Sequence, residues 1–349
     1  PSPLRIWQQM VEFRDVIAAD RQRMVYLPAN DGMLHAFDAQ SGQERWGFVP
    51  TAVLPELWRI ADNNWANDFH YLHDGTPVAG DVCPTMPAAS CTAKQWRTIL
   101  VGSLGAGGRG YYALDITQPD RPSLLWQFDV SREADLGLAM GRPVITKRRD
   151  GRWVVVIASG YANVSPGNGH GMLFVLDAWN GSVLSRIDTA AGSTSAPAGL
   201  AQLNAWIDSA LDNTAARLYG GDLLGNVWRF DIDGDTSVVS GDASGMASGM
   251  ASGTVSGGSS GGAAAGTSAG ASDSTRSGAT LLASLDYGGR AQPVTTRPEL
   301  TLQRIGNRQV SLVTVATAPG AIRLQVMPRF ATCVAVEKVR LCSARLVIA

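Results

Sequence analysis

One short phrase occurs four times along the chain, and it constrains the fold more than any other feature. Each copy begins near a glycine and runs through a mostly apolar segment. The four copies end at Asp38, Asp115, Asp177 and Asp231. In the first copy, a turn at Gly42 leads on to a second apolar segment at Trp46. Apolar alternation on both sides of such a turn is typical of a β-hairpin.

The interval between the copies predicts a propeller. The closing aspartates are separated by 77, 62 and 54 residues. A hairpin that returns at such intervals indicates blades separated by loop insertions of different lengths. We therefore predict an all-β fold, a β-propeller with quinoprotein-like blades that is incomplete in this chain. Three blades are nearly complete in the sequence, a first is partial and a fifth begins.

Each blade is predicted to contain an inner strand near a proline, an apolar strand, the glycine-to-aspartate strand and an outer strand. Proline is tolerated at strand starts and edges, and continuous apolar runs suit strands covered on both faces. The predicted inner strands are 76–81, 141–146, 195–200 and 292–298. The predicted apolar strands lie within 23–32, 97–103, 153–160, 217–222 and 309–316.

The remaining segments divide the chain as follows. Residues 1–20 are a lead-in, 21–239 are propeller blades, and 279–317 continue the propeller. Residues 240–278 form a low-complexity Gly/Ser/Ala insertion that is predicted to be disordered. Residues 318–349 lose the blade pattern and look like a truncated or frame-altered tail. The insertion at 50–73 is predicted to hold a short helix at 54–61.

Charge and motif content exclude several function classes. The formal net charge is −1, which argues against a nucleic-acid partner. No run of eighteen apolar residues is present, so no transmembrane segment is predicted. No Ser-His-Asp or Cys-His set is identifiable in the sequence, so no catalytic residue is assigned.

Two of the four cysteines suggest a disulfide. Cys83 and Cys91 flank a polar loop that contains Pro84 and Pro87. Cysteines at the two ends of such a loop suit a bond that closes a surface hairpin. We predict this disulfide, which favours an oxidising compartment such as the periplasm or the cell surface. Two free thiols in a cytosolic loop are the alternative.

Histidines, tryptophans and one glycine-rich loop give further expectations. His70 and His73 have a spacing that could hold a metal, but two surface histidines in a polar loop are favoured. His35 is expected to be structural. Residues 105–110 are expected to form a β-turn that requires a positive φ. Three tryptophans are expected to lie at recurring blade positions and to pack between blades, namely Trp46, Trp126 and Trp228.

Three long phrases carry a family resemblance. Residues 30–38, 105–115 and 219–231 resemble the β-propeller domain of the PilC/PilY family of type IV pilus proteins, over about 20–317. The resemblance implies a non-enzymatic protein of the bacterial cell surface, the pilus tip or the outer-membrane and periplasmic face. It implies roles in pilus (fimbrium) assembly, cell adhesion and twitching motility. It also implies minor pilins, pilus-tip proteins and a host surface receptor as partners.

The resemblance further implies a calcium loop just before Tyr219, with oxygen ligands at loop positions 1, 3, 5 and 9. Asp208 and Asp212 fall at positions 1 and 5, whereas Ala210 and Ala216 replace the other two ligands. Calcium prefers six to eight oxygen ligands. Asp208, Asp212 and Asn213 are therefore expected to form at most a weak Ca²⁺ site, with affinity in the roughly millimolar range. A solvated acidic loop is the alternative.

A second resemblance gives a competing function. Residues 34–42 also resemble the repeats of quinone-dependent dehydrogenases, which bind pyrroloquinoline quinone (PQQ). Those enzymes usually carry adjacent cysteines near the cofactor, whereas Cys83 and Cys91 are eight positions apart. No PQQ is therefore expected. A generic periplasmic protein-interaction propeller remains a third possibility.

Overall fold

The fold is described from a computed structural model of the 349-residue chain. It describes residues 3–86, 88–209, 211–233, 278–287, 289–305, 308–317, 333–336, 339–342 and 344–348. The predicted low-complexity insertion, apart from residue 278, lies outside the described residues, as does most of the predicted tail.

The described chain forms a series of antiparallel sheets, one after another along the sequence. The first sheet contains β1 (Met24–Pro28), β2 (Leu34–Asp38) and β3 (Glu44–Phe48). The second contains β4 (Val78–Val82), β5 (Arg97–Ser103), β6 (Gly110–Asp115) and β7 (Ser123–Asp129). The third contains β8 (Val144–Lys147), β9 (Trp153–Ala158), β10 (His170–Asp177) and β11 (Val183–Gly192).

The later sheets follow the same order at first and then diverge from it. The fourth contains β12 (Leu203–Trp206), β13 (Arg217–Gly221), β14 (Asn226–Asp231) and β15 (Ala279–Ser284). A short hairpin follows, with β16 (Asp286–Tyr287) and β17 (Arg290–Ala291). The next sheet pairs β18 (Glu299–Ile305) and β19 (Arg308–Val315) with β22 (Ala344–Ile348). Another hairpin joins β20 (Cys333–Val336) to β21 (Val339–Cys342), and its register pairs Cys333 with Cys342.

These sheets are propeller blades, as the sequence predicts. In the second, third and fourth sheets, strands that are consecutive in sequence are also neighbours in the sheet. The inner strands of successive blades touch, because β4 contacts β8, β8 contacts β12, and β12 contacts β18. The glycine-to-aspartate phrase forms the third strand in each complete blade. The expected all-β propeller is therefore confirmed. Among the described residues, β1 pairs only with β2, so the first sheet has three strands.

Two of the predicted inner strands were placed wrongly. The fourth blade begins at β12 instead of 195–200, and the fifth begins at β18 instead of 292–298. Both predicted segments contain prolines, and proline cannot donate a hydrogen bond to a strand ladder. In the first segment Gly199 also has φ +62°, and Ala198 donates its N–H to the Gly169 carbonyl in a neighbouring loop. These segments are therefore the loops that lead to the inner strands.

The core lies between adjacent blades, and the second and third strands of the blades are its largest contributors. All six residues of β9 are buried, so this strand is covered on both faces. One apolar cluster joins the second and third blades, and another joins the third and fourth. Each fully buried Val, Leu, Ile or Phe side chain contributes about 1.5–3 kcal/mol of hydrophobic stabilisation. Blade-to-blade contact therefore contributes much of the hydrophobic stabilisation of this fold.

The chain before the first blade is helical. An α-helix, α1 (Pro3–Glu12), continues into a short π-helix (Phe13–Ile17). Ile6 and Phe13 are buried in the cluster that joins the second and third blades, so these helices pack against the propeller. The short helix expected at 54–61 is confirmed as a 3₁₀ helix (Thr51–Ala61). Within the described residues, none of the helices has the length and apolar character needed to cross a membrane.

Candidate functional site

The loop with the expected calcium ligands lies between β12 and β13 and is fastened to β8 of the preceding blade. The Lys147 amide donates to the Asn213 carbonyl at 3.1 Å, and the Ala215 amide donates to the Lys147 carbonyl at 3.0 Å. The Thr146 hydroxyl also donates to the Asn213 carbonyl, at 2.8 Å. The backbone of the loop is therefore held by the neighbouring blade.

Asp212 is paired with a buried lysine. Its Oδ2 lies 3.0 Å from the Lys147 Nζ, and both side chains are almost fully buried. The Thr214 hydroxyl donates to Asp212 Oδ1 at 2.8 Å and accepts from the Lys147 Nζ at 2.6 Å. Burial would raise the pKa of the Asp212 carboxyl, but the hydrogen bonds from Thr214 and Lys147 outweigh it and lower the pKa.

The other two expected ligands also have protein partners. Asp208 Oδ2 accepts from the Ala216 amide at 3.2 Å and lies 3.5 Å from a guanidinium nitrogen of Arg149. Asn213 has φ +53°, and its Nδ2 donates to the Ile145 carbonyl at 3.2 Å. Ala210 lies outside the described residues, and Ala216 has no side-chain oxygen.

These residues do not fit a calcium ion. A hard dication needs several free oxygen ligands, whereas the Asp212 carboxylate already faces an ammonium group. The structure places Asp208, Asp212 and Asn213 in one loop, but it also places two basic side chains of the third blade against the two carboxylates. No cluster of three or more His, Cys, Asp or Glu side chains within the described chain is arranged to hold a metal.

Lys147 was not identified from the sequence as a partner of this loop. It closes β8, one position beyond the predicted inner strand, and lies 67 positions before Thr214. A lysine is seldom fully buried unless it is paired. Nothing local in the sequence shows that its partner lies in the next blade.

A second buried acid, Asp222, lies three residues after Tyr219 and directly follows β13. It is fully buried, and its carboxylate accepts from the Trp228 Nε1 at 2.8 Å and from the Asn226 Nδ2 at 3.0 Å. It also accepts from the amides of Leu224 and Asn226, at 3.0 and 2.9 Å. Burial raises the pKa of this carboxyl. Asp222 therefore fixes the turn between β13 and β14 from inside.

The prediction of two surface histidines is wrong for His73. His73 is buried, with its Nε2 lying 3.2 Å from the Tyr112 hydroxyl, because the insertion before it folds back over the second blade. His70 remains partly exposed. His35 lies between two carboxylates, with Nδ1 at 2.7 Å from Glu44 and Nε2 at 2.9 Å from Asp31. Those two carboxylates raise the pKa of His35 despite partial burial.

Burial lowers the pKa of His73 to about 4, from 6.5. Between these two values the unfolded chain binds a proton that the folded chain excludes, so stability falls as the pH falls from about 6.5 to about 4. We expect this residue alone to account for about 3 kcal/mol of that loss. Denaturant unfolding at several pH values measures it.

The control for this pH dependence is an exposed side chain that does not titrate. His73→Phe should flatten the pH dependence between about 4 and 6.5, because it removes the titrating group. Trp58→Ala, at an exposed side chain, should leave it unchanged. Because the pKa of His35 is raised above 6.5, the titration of His35 changes the stability above pH 6.5, outside this window. Equal slopes in wild type and His73→Phe would contradict the prediction.

The tryptophans pack between blades as expected, but they do not occupy one recurring position. Trp46 and Trp126 lie on outer strands, whereas Trp228 lies on the third strand β14. The Trp46 Nε1 donates to the Pro119 carbonyl at 2.7 Å, and the Trp126 Nε1 donates to the Ala178 carbonyl at 3.1 Å. Each of these two indoles therefore reaches the hairpin turn of the next blade.

The glycine-rich loop at 105–110 forms a turn, and Gly105 adopts φ +62° as predicted for this segment. A β-carbon on Gly105 would lie 2.0 Å from Asp74 Oδ1, so no other residue fits here. Arg109 in the same loop donates to the carbonyls of Ala162, Val164 and Pro166 in the next blade. The loop therefore links two blades.

Cys83 and Cys91 are joined by a disulfide in the structure, with their Cα atoms 6.4 Å apart. Both are buried in the cluster that also contains Phe13 and Trp96. In protein purified from an oxidising compartment, we expect mass spectrometry of non-reduced peptides to find Cys83 linked to Cys91. Two free thiols at these positions would contradict the prediction.

Comparisons with known proteins identify relatives of this fold. A family model described as the PilY1 beta-propeller domain matches residues 10–317. "Type IV pilus biogenesis factor PilY1" of Pseudomonas aeruginosa (strain UCBPP-PA14) is 36% identical over 220 residues, which cover 63% of this chain and 18% of that protein. A "Type IV pilus biogenesis factor PilY1 homolog" of Xylella fastidiosa is 36% identical over 212 residues, which cover 61% of this chain and 16% of that protein.

A solved structure extends the comparison to the fold. The crystal structure of the Pseudomonas aeruginosa PilY1 C-terminal domain aligns with a TM-score of 0.62 and 28% sequence identity. The alignment covers 90% of this chain and 56% of that one. The chain thus spans less than a fifth of the length of the curated relatives named above.

Proposed function

This chain belongs to the PilY1 beta-propeller family, and on that premise we propose that it is a non-enzymatic scaffold in type IV pilus biogenesis. The observation that supports the proposal is the family match over residues 10–317, together with 36% identity to a protein named as a type IV pilus biogenesis factor. The proposal includes roles in pilus assembly, adhesion and twitching motility. It places the protein at the cell surface or pilus tip, or on the outer-membrane or periplasmic face.

The contacts of the buried polar side chains support a scaffold role. Asp222, His73 and the pair of Lys147 and Asp212 are each held by hydrogen bonds within or between blades. Side chains used in this way stabilise the arrangement of the blades. A rigid set of blades suits a protein that presents surfaces to minor pilins, to other pilus-tip proteins and to a host surface receptor, which are the partners we propose.

A domain exchange tests the proposed function. Residues 10–317 would replace the matching propeller of the Pseudomonas aeruginosa relative, and surface pili and twitching zones would be measured in cells that lack the native protein. We expect the chimera to restore both. A matched chimera with Trp58→Ala, an exposed substitution, should behave identically. A chimera that reaches the cell surface in folded form but restores neither pili nor twitching would contradict the proposal.

An absorbance experiment separates this proposal from the quinone-dependent alternative. The purified chain would be mixed with PQQ and calcium and then passed over a desalting column. We expect the protein fraction to carry no quinone absorbance. Retained quinone together with alcohol-dependent dye reduction would replace the scaffold proposal with an enzymatic one.

A further inference from the structure

We propose that the Lys147 ammonium group is the resident cation of the loop that contains the described residues 208, 209 and 211–216, so that this loop keeps its fold without calcium. The inference concerns only the loop and goes beyond the proposed pilus function. It starts from the observation that the one buried lysine side chain found in the described residues points into the loop where the family resemblance places a metal ion.

The ammonium group binds oxygens of two loop residues. Nζ lies 3.0 Å from Asp212 Oδ2 and 2.6 Å from the Thr214 hydroxyl. That hydroxyl in turn donates to the second carboxylate oxygen of Asp212 at 2.8 Å. One positive charge therefore ties together a carboxylate and a hydroxyl that lie two residues apart in the loop, as a bound ion would.

The surroundings make this pair a fixed part of the fold. Lys147 is 3% exposed and Asp212 is 5% exposed, so the two charges compensate each other away from water. The backbone of Lys147 is bonded to the loop on both sides, through the Asn213 carbonyl and the Ala215 amide. The ammonium group thus belongs to β8 of the third blade and lies against the loop of the fourth blade. Removing one partner of a buried ion pair is strongly destabilising, because it leaves an uncompensated charge.

A calcium ion could not share this position. It would have to displace the ammonium group from Asp212, since two cations at one carboxylate repel each other. The other expected ligand positions supply no free carboxylate. Asp208 already faces Arg149 and the Ala216 amide, and Ala216 itself supplies no side-chain oxygen. A built-in monovalent cation therefore replaces an exchangeable divalent one, and the loop is expected to be insensitive to calcium.

The first test uses the unmodified chain. Its melting temperature would be measured in EDTA and in millimolar calcium chloride, with sodium chloride at matched ionic strength as the control, and calcium binding would be followed by calorimetry. We expect no calcium-specific shift of the melting temperature and no binding heat. A ligand that binds only the folded state must raise its stability by mass action. A calcium-specific rise, or a measurable heat that is lost in Asp208→Ala with Asp212→Ala, would overturn the proposal.

The second test removes the ammonium group. Lys147→Met keeps most of the apolar stem and should lower the melting temperature by roughly 5–10 °C. Adding Asp212→Asn should recover part of that loss, because the buried carboxylate no longer lacks a partner. Lys94→Met, at an exposed lysine, is the matched control and should cause no shift. An unchanged melting temperature in Lys147→Met, or additive losses in the double variant, would overturn the proposal. The calcium measurements on the unmodified chain do not depend on the variants being folded.

Discussion

Replacing Asp222 by alanine is expected to lower the free energy of unfolding by about 3–5 kcal/mol. The substitution removes an acceptor that serves two side-chain donors and two backbone amides at 2.8–3.0 Å. The Trp228 Nε1 would then be buried without a partner. Each unsatisfied buried donor costs roughly 1–3 kcal/mol, and several are created at once. Denaturant unfolding followed by tryptophan fluorescence measures the loss.

Two variants control this experiment. Asp222→Asn keeps one oxygen acceptor and should lose less stability than Asp222→Ala. Asp15→Ala removes an exposed carboxylate that, among the described residues, pairs only with the adjacent Arg14, so it should change the free energy of unfolding by less than about 0.5 kcal/mol. A loss for Asp222→Ala no larger than that of Asp15→Ala would show that the four contacts do not hold the turn.

Replacing Trp126 by alanine is expected to lower the free energy of unfolding by a similar amount, about 3–5 kcal/mol. The indole is almost fully buried in the cluster between the second and third blades. It lies directly against the next hairpin turn, since a β-carbon on Gly181 would be 2.5 Å from the Trp126 ring. The substitution therefore opens a cavity at the contact between two blades.

Two further tryptophan variants separate packing from hydrogen bonding. Trp126→Phe keeps a large ring but loses the bond to the Ala178 carbonyl, so it should cost about 1 kcal/mol through that bond in addition to the smaller ring volume. Trp58→Ala, at a side chain that is 58% exposed, should have little effect. If Trp126→Ala and Trp58→Ala had equal effects, the contact between the blades would not depend on this side chain.

The repeated phrase predicted the blades because it is a local signal. The apolar pattern and the turn residues that identify a glycine-to-aspartate strand or an apolar strand all lie within one short segment of the sequence. The starts of the inner strands are harder to predict, because proline and glycine near Ala198 are as typical of a loop as of a strand start. Only the hydrogen bonds, such as that from Ala198 to Gly169, separate the two cases.

The candidate site was less predictable because its contacts connect different blades. The loop ligands Asp208 and Asp212 follow from a local pattern, but Lys147 belongs to the preceding blade and no nearby residue shows where its side chain points. The burial of His73 was not predicted for a related reason. A polar segment is usually exposed, yet the side chain of His73 contacts Tyr112 of another strand. Contacts between distant segments decide both cases.

The disulfide is buried in the cluster that also contains Ile6 and Phe13 of the N-terminal helices, and this burial limits its reaction with soluble thiols. Cys91 lies between two 3₁₀ turns, Ala88–Ser90 and Ala93–Gln95, and α1 contacts both of them. With both cysteines almost inaccessible to solvent, a soluble reductant can reach the sulfur atoms only after this cover opens. At high reductant concentration the rate of reduction should level off at the rate of this opening. The rate at which the disulfide is reduced then measures how often the structure around the two cysteines opens.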